Sequence, residues 1–190
     1  MSLNSILSFS KITIDNAEGK VKAILEKALR RIGYIPNLYT MMANSPPLLK
    51  SYTEGDELFR KESVFNSAEK EVIYLTISKE NMCLYCIAVH STLADTMSNV
   101  PKDVTNAIRD GEKITNDKYA TLNEFTRIMV VTRGRPTTQD IDKFIAAGYS
   151  NRHILDIIHA IAIKTMSNYS NHLFQTPLDA VFQQRSWENT

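Results

Sequence analysis

Backbone breaks are rare in this chain. Six glycines and six prolines interrupt 190 residues, and the segments between them repeat apolar residues at the three- and four-residue spacing of a helix face. No Asn-Gly or comparable hairpin signal offers an alternative. The fold class this predicts is all-α, and the length suits one domain over 1–190. Asp15 and Asn16 cap a predicted helix running to about Arg31, with Val21, Ile24, Leu25, Ala28 and Leu29 on one stripe, and Gly33 ends it. Further helices are predicted from Asn37 through Met42, from Pro46-Pro47 to about Ser63, and from Pro101 to Gly111. Others start at Asn116 or Asp117, at Thr137–Thr138, and at Ser150, the last running to about Phe174. Pro177 begins a C-terminal piece.

The segment from Ser67 to Met97 is harder to read. Ser67 is taken as its cap, with Lys70 at the third position, which leaves a capping box incomplete. Val72, Ile73, Leu75, Thr76 and Ile77 follow, and so β-branched a run could pass for a strand. Its helical neighbours decide for helix. The pattern slips near Asn81-Met82, and a new helix is predicted from the cysteines to about Met97. A shift of 82 residues lays Cys86–His90 on Asn168–His172, and Val72, Ile73 and Leu75 on Ile154, Leu155 and Ile157, a weak internal repeat.

Several function classes find no support. With 22 basic and 21 acidic residues the net charge is +1, so no electrostatic argument favours nucleic acid or an anionic membrane. No window reaches the roughly 20 apolar residues of a membrane span. Met1 to Ser10 has neither a basic start nor a long apolar stretch, so no signal peptide is expected and the default address is cytoplasmic. No Gly-rich phosphate loop and no nucleophile-elbow motif is present, and no cofactor is expected.

The two cysteines carry the chemistry. They sit three apart, and a secreted disulfide framework would spread its cysteines to staple distant segments. On a helix at 100° per residue, Cys83, Cys86 and His90 fall within about 60° of one another. His90, one turn beyond Cys86, is then within reach of a direct or water-bridged hydrogen bond. Cys83 is expected in the first turn, where free N–H groups favour a thiolate. If the chain reverses near residues 80 and 81, Glu71 and His90 are equidistant from the bend and meet across the pair. A carboxylate there would fix the imidazole tautomer and raise its basicity. Glu69 and Glu80 are less well placed, and Tyr85 points away from the thiols as packing. Two competing readings stand: two small core residues, or three zinc ligands completed by Glu71 or water. Structural zinc usually brings a second Cys/His pair, and His153, His159 and His172 are not paired that way.

The pattern Glu71-x11-Cys83-Leu84-Tyr85-Cys86-x3-His90 resembles the alkylhydroperoxidase D-like group of the carboxymuconolactone decarboxylase superfamily. Gly33-Tyr34-Ile35-Pro36-Asn37, Asn44-Ser45-Pro46, Ala146–Ser150 and Asn168–His172 resemble its peroxidase-related members, over about residues 15 to 182. The resemblance implies an alkylhydroperoxidase-like helical bundle, homo-oligomers (trimers or hexamers), and thiol-dependent reduction of hydroperoxides. It implies that Cys86 is the peroxidatic thiol, that Cys83 donates a proton and resolves the sulfenic acid, and that Glu71 and His90 form the proton relay. A dithiol or thiol protein would be the reductant. One-turn spacing also lets Cys83 and Cys86 close a disulfide, if their Cα atoms lie within about 7 Å. Two positions depart from the family: Tyr85 replaces a histidine between the cysteines, and His172 stands where relatives often carry arginine. The decarboxylase branch lacks the dithiol, so lactone decarboxylation fits poorly. A redox sensor without fast turnover is the alternative.

Overall fold

The structure, a computed structural model, describes residues 9–187. Most of the N-terminal stretch read above as lacking a leader, residues 1–8, lies outside the described residues, as do the last three residues of the 1–190 span. Among the described residues there is no strand. The helices are α1 (Gly19–Ile32), α2 (Asn37–Met42), α3 (Pro46–Glu62), α4 (Ser67–Glu80), α5 (Leu84–Thr96), α6 (Lys102–Asp110), α7 (Asp117–Val131), α8 (Thr138–Ala146) and α9 (Asn151–Phe174). A 3₁₀ helix, Ala180–Arg185, follows.

Local chemistry explains most boundaries. Gly33 closes α1 in the left-handed region at φ 87°, and its N–H reaches Leu29 O. Asn116 and Thr137 cap α7 and α8 through their side chains. Two caps differ from the sequence reading. Asn16 does not cap α1: its Oδ1 takes the Thr13 N–H at 2.7 Å in the preceding turn, and α1 starts at Gly19. Asn66, one residue before Ser67, caps α4, and Glu69 at the third position completes the capping box. Asn caps as well as Ser does, and only this register puts an acidic side chain where it can reach back.

Helix α4 is buried on nearly every side, with Val72, Ile73, Tyr74, Leu75 and Ile77 at 1% exposure or less. It packs against α5, α6, α7 and α9. A helix apolar all round belongs inside a bundle, which is why the β-branched run stays helical. Each such side chain contributes about 1.5–3 kcal/mol by burial. One core cluster gathers around α4 and includes the Phe125–Phe144–Tyr149 stack. A second joins α1, α2 and α3 to Cys83, Tyr85 and Cys86. The site lies where the two meet.

The α4–α5 reversal is tight. Asn81 ends α4, Met82 takes a left-handed φ of 54°, and the Cys83 N–H bonds Ser78 O at 2.9 Å. From across the bundle, Asn168 Oδ1 accepts the Asn81 side-chain amide at 2.9 Å. The 82-residue shift lays this bend on α9, which runs unbroken.

Candidate active site

Cys83 is the N-cap of α5, one residue outside the first turn, and Cys86 is its third helical residue. Both thiols are reduced and buried. Cys86 borders a cavity of about 560 Å³ that Glu71, His90, Asp56, Arg60 and Lys164 also line, together with Tyr34, Tyr39, Tyr52 and Tyr85. Cys83 lies behind it, away from the cavity wall.

The reversal does bring Glu71 and His90 together: Glu71 Oε2 and His90 Nδ1 are 2.8 Å apart. Glu71's other oxygen accepts from Arg60 Nη1 at 2.8 Å. Arg60 also forks onto Asp56, which takes the Tyr74 hydroxyl as well. Burial pushes the Glu71 carboxyl up, but the Arg60 charge and the His90 contact outweigh it and hold the group at about 2. An ionised carboxylate can only accept, so His90 carries its proton on Nδ1. Its Nε2 lone pair then faces Lys164 Nζ at 2.8 Å. Burial and the Lys164 charge together hold His90 below its ordinary value, against the pull of Glu71. The imidazole is neutral at neutral pH.

The expected hydrogen bond between His90 and Cys86 is therefore replaced. Lys164 occupies Nε2, and Cys86 instead meets Asn171, whose Nδ2 donates to its Sγ at 3.2 Å and to Cys83 Sγ at 3.8 Å. Burial raises the Cys86 thiol, yet a Cys83 hydrogen bond, the Lys164 charge, His90 and the Asn171 amide bring it well below the ordinary thiol value. Cys83 goes the other way: burial, then its bond to Cys86, push it well up. A position at the start of α5 therefore does not make Cys83 the thiolate, and Cys86 is the lowered thiol of the pair. Fully buried at the cap, Cys83 gains too little from the Lys164 charge to offset that rise, while Cys86 sits among the donors. This arrangement, a thiolate facing a cavity with a protonated thiol behind it, can attack an electrophile and then close a disulfide.

Tyr85 does more than pack. Its hydroxyl donates to Asp179 Oδ2 at 2.5 Å, and Asp179 Oδ1 accepts the Asn37 N–H at 3.0 Å. The C-terminal segment is thereby fastened beside the cavity. Glu69 serves the α4 cap and pairs with Lys118 at 2.9 Å, away from His90. Among the described residues no three His, Cys, Asp or Glu side chains converge as metal ligands. With His90 Nδ1 on Glu71 and Nε2 on Lys164, neither ring nitrogen is left for an ion shared with the sulfurs. Lys164 and Arg60 carry no role in the sequence reading, and Asn171 enters it only within the Asn168–His172 resemblance. Lys164 had a signal, since it continues the buried stripe of Ile157 and Ala160 along α9.

This helical arrangement is the fold of the alkylhydroperoxidase core. A structure described as an alkylhydroperoxidase AhpD core, an uncharacterized peroxidase-related protein from Ralstonia eutropha JMP134, superposes with a TM-score of 0.80 at 18% identity, covering 92% of this chain and 93% of that one. An uncharacterized peroxidase-related protein from Silicibacter sp. TM1040 gives 0.75 at 17%, covering 91% and 92%. A variant of the debrominase Bmp8 in complex with 2,3,4-tribromopyrrole gives 0.70 at 16%, covering 87% and 88%. No family model matches the chain, and no curated protein matches it in sequence. Among the described residues no helix is long and apolar enough to cross a membrane.

Proposed function

We propose that the protein is a thiol-dependent peroxidase acting through Cys86 and Cys83. The observation that carries this reading is the low thiol of Cys86 at the cavity wall, with the protonated Cys83 behind it. Cys86 thiolate attacks the terminal oxygen of a hydroperoxide, and the sulfur becomes a sulfenic acid as the O–O bond breaks. Cys83 then displaces water, its proton leaving with the hydroxyl, and an intramolecular disulfide forms. A dithiol or thiol protein returns two electrons and two protons, which needs a reducing compartment and agrees with a cytoplasmic address. Glu71 and His90 are the proton relay, and Lys164 links His90 to the thiolate as its counter-cation. The test is consumption of hydrogen peroxide and an alkyl hydroperoxide by wild type and Cys86→Ser with several dithiol reductants. Turnover by wild type and its loss in the variant are expected. Equal rates in both would reject the reading, and two free thiols after one equivalent of peroxide would remove the disulfide step.

The tyrosine-walled cavity supports a second reading, since it is far larger than a hydrogen peroxide molecule. A thiolate beside a proton source can also take halogen from an activated haloaromatic, giving a sulfenyl halide that Cys83 resolves with release of halide. The debrominase neighbour motivates including a bromopyrrole in the same assay. Bromide release without peroxide consumption would favour this reading.

The protein is also proposed to form a homo-oligomer, a trimer or hexamer. Leu155, Ile158, Tyr169 and Leu173 are exposed along one face of α9, and exposed large apolar side chains sharing a helix face are a common mark of an interface. Light scattering at micromolar concentration decides it, and a clean 21.5 kDa species would refute it.

A further inference from the structure

Lys164 is 1% exposed. A buried lysine is costly unless its charge is matched, and carboxylates are the usual partners. Here the neighbouring carboxylates are already engaged: Asp56 and Glu71 by Arg60, and Glu71 also by His90. Of the three Nζ donors one meets His90 Nε2 at 2.8 Å. The Tyr74 ring lies 5.4 Å away on another side. The remaining N–H groups are left for the cavity that Lys164 shares with Cys86.

Attack on a hydroperoxide makes an alkoxide, a strong base that must gain a proton as it leaves. The groups facing the cavity from α2, α3, α4 and α5 supply few candidates: Lys70 Nζ is turned onto the Arg60 carbonyl at 2.7 Å, and the Tyr85 hydroxyl is held by Asp179. Burial holds the Tyr39 hydroxyl up at about 12, and it raises Tyr52 and Tyr74 well above their ordinary value. Arg60 is held well above its ordinary value by the charges of Asp56 and Glu71, which outweigh its burial. His90 has spent its proton on Glu71, and Cys83 does not reach the cavity wall.

Resting on the peroxidase reading above, we propose that Lys164 is the general acid that protonates the leaving oxygen. The sulfur–oxygen bond to Cys86 forms and the O–O bond breaks. Sulfur loses two electrons to the peroxide, and the leaving alkoxide takes a proton from Lys164 Nζ to depart as an alcohol. Lys164 is left as the neutral amine. Cys83 then attacks the sulfenic acid, releasing water and closing the disulfide. Reduction by a dithiol delivers one proton to Cys83 and one to Cys86. The second passes to Lys164 and restores the thiolate–ammonium pair.

The experiment varies the leaving group. Cys86 of wild type and of Lys164→Met is treated with tert-butyl hydroperoxide, with peracetic acid and with iodoacetamide, and circular dichroism checks folding. Iodide and acetate leave without a proton, whereas an alkoxide does not. The variant should lose a common, modest factor on iodoacetamide and peracetic acid through the missing countercharge. On tert-butyl hydroperoxide it should lose about 100-fold more, the usual scale of general acid catalysis. One common factor on all three overturns the proposal. If the variant does not fold, the wild-type rate ratio of tert-butyl hydroperoxide to peracetic acid takes its place. It should exceed that of free glutathione thiolate by at least about tenfold if a general acid is at work, and an equal ratio overturns the proposal. Wild-type Cys86 that reacts with iodoacetamide but with neither peroxide would overturn the peroxidase reading itself, and this proposal with it.

Discussion

Both faces of α9 break the usual pattern in part. Beyond Ile157, Ala160 and Ile163 the inner face buries Lys164, Ser167, Asn168 and Asn171, while the outer face leaves Leu155, Ile158, Tyr169 and Leu173 in solvent. Ordinary globular packing does the reverse. Desolvating a lysine and two amides costs several kcal/mol unless each finds a partner. Lys164 and Asn171 find theirs on His90 and on the two sulfurs, all of them on the α4–α5 hairpin or its edge. The inner polar stripe therefore belongs to the chemistry of the thiols, and the outer apolar stripe to whatever covers it. Polar burial on one face and apolar exposure on the other are the grounds for the proposed site and the proposed interface.

The comparison can be broken from the inside first. His90→Ala should slow Cys86 oxidation at least tenfold, toward the roughly 10²–10⁴-fold range typical of general acid–base assistance. Glu71→Gln keeps the shape and should lose a comparable factor; stopped-flow rates on folded variants measure both. Wild-type rates in both variants would make the pair structural.

Next comes stability against acid. Glu71 titrates at about 2 in the fold against an ordinary 4.5, so its contribution is present above the ordinary value and disappears as pH falls toward the folded one. That difference is worth about 3 kcal/mol. His90, also lowered, adds a loss that begins as pH drops below its ordinary value of 6.5. Denaturant melts from pH 7 to pH 3 should show wild type weakening, and Glu71→Gln should show a flatter profile below pH 5.

A smaller effect is expected at Asn171. Its amide donates to the Cys86 sulfur at 3.2 Å, a charge-assisted hydrogen bond when the sulfur is ionised. Asn171→Ala should therefore slow iodoacetamide alkylation of Cys86 by up to about tenfold on the acid side of the plateau. On the outer face, Leu155→Ser with Ile158→Ser should shift the oligomer toward monomer in light scattering and leave the rate of Cys86 oxidation unchanged. An unchanged oligomer would separate that stripe from the interface.

The hairpin half of this site was legible because it is local. Glu71, Cys83, Cys86 and His90 lie within 20 residues, and a bend equidistant from 71 and 90 suffices to pair the outer two. The α9 half was not, because Lys164 and Asn171 meet the hairpin across separations of 74 and 85 residues. Periodicity marks a stripe but not the side it faces when both sides of a helix carry apolar residues. The choice between the thiols has the same origin. The dipole favours whichever cysteine opens the helix, whereas the Cys83 hydrogen bond, together with the cation and amide arriving from α9, lowers Cys86 against its burial. The cap of α4 was missed by one residue, since Asn66 and Ser67 are both good caps and the reach of Glu69 chooses between them.

The central claim is that Cys86 rests as a thiolate held by Cys83 and by groups from α9. The most direct measurement is the rate of Cys86 alkylation and of its oxidation by peroxide from pH 5.5 to 9.5, in wild type and in Asn171→Ala. Against burial, the Cys83 hydrogen bond, the Lys164 charge and the Asn171 amide hold the folded value well below that of an ordinary thiol. The account therefore predicts a wild-type rate that is flat from about pH 7 upward, and a variant whose plateau begins at higher pH. A wild-type rate that climbs tenfold per pH unit until about 8.5, as an unassisted thiol does, would contradict it.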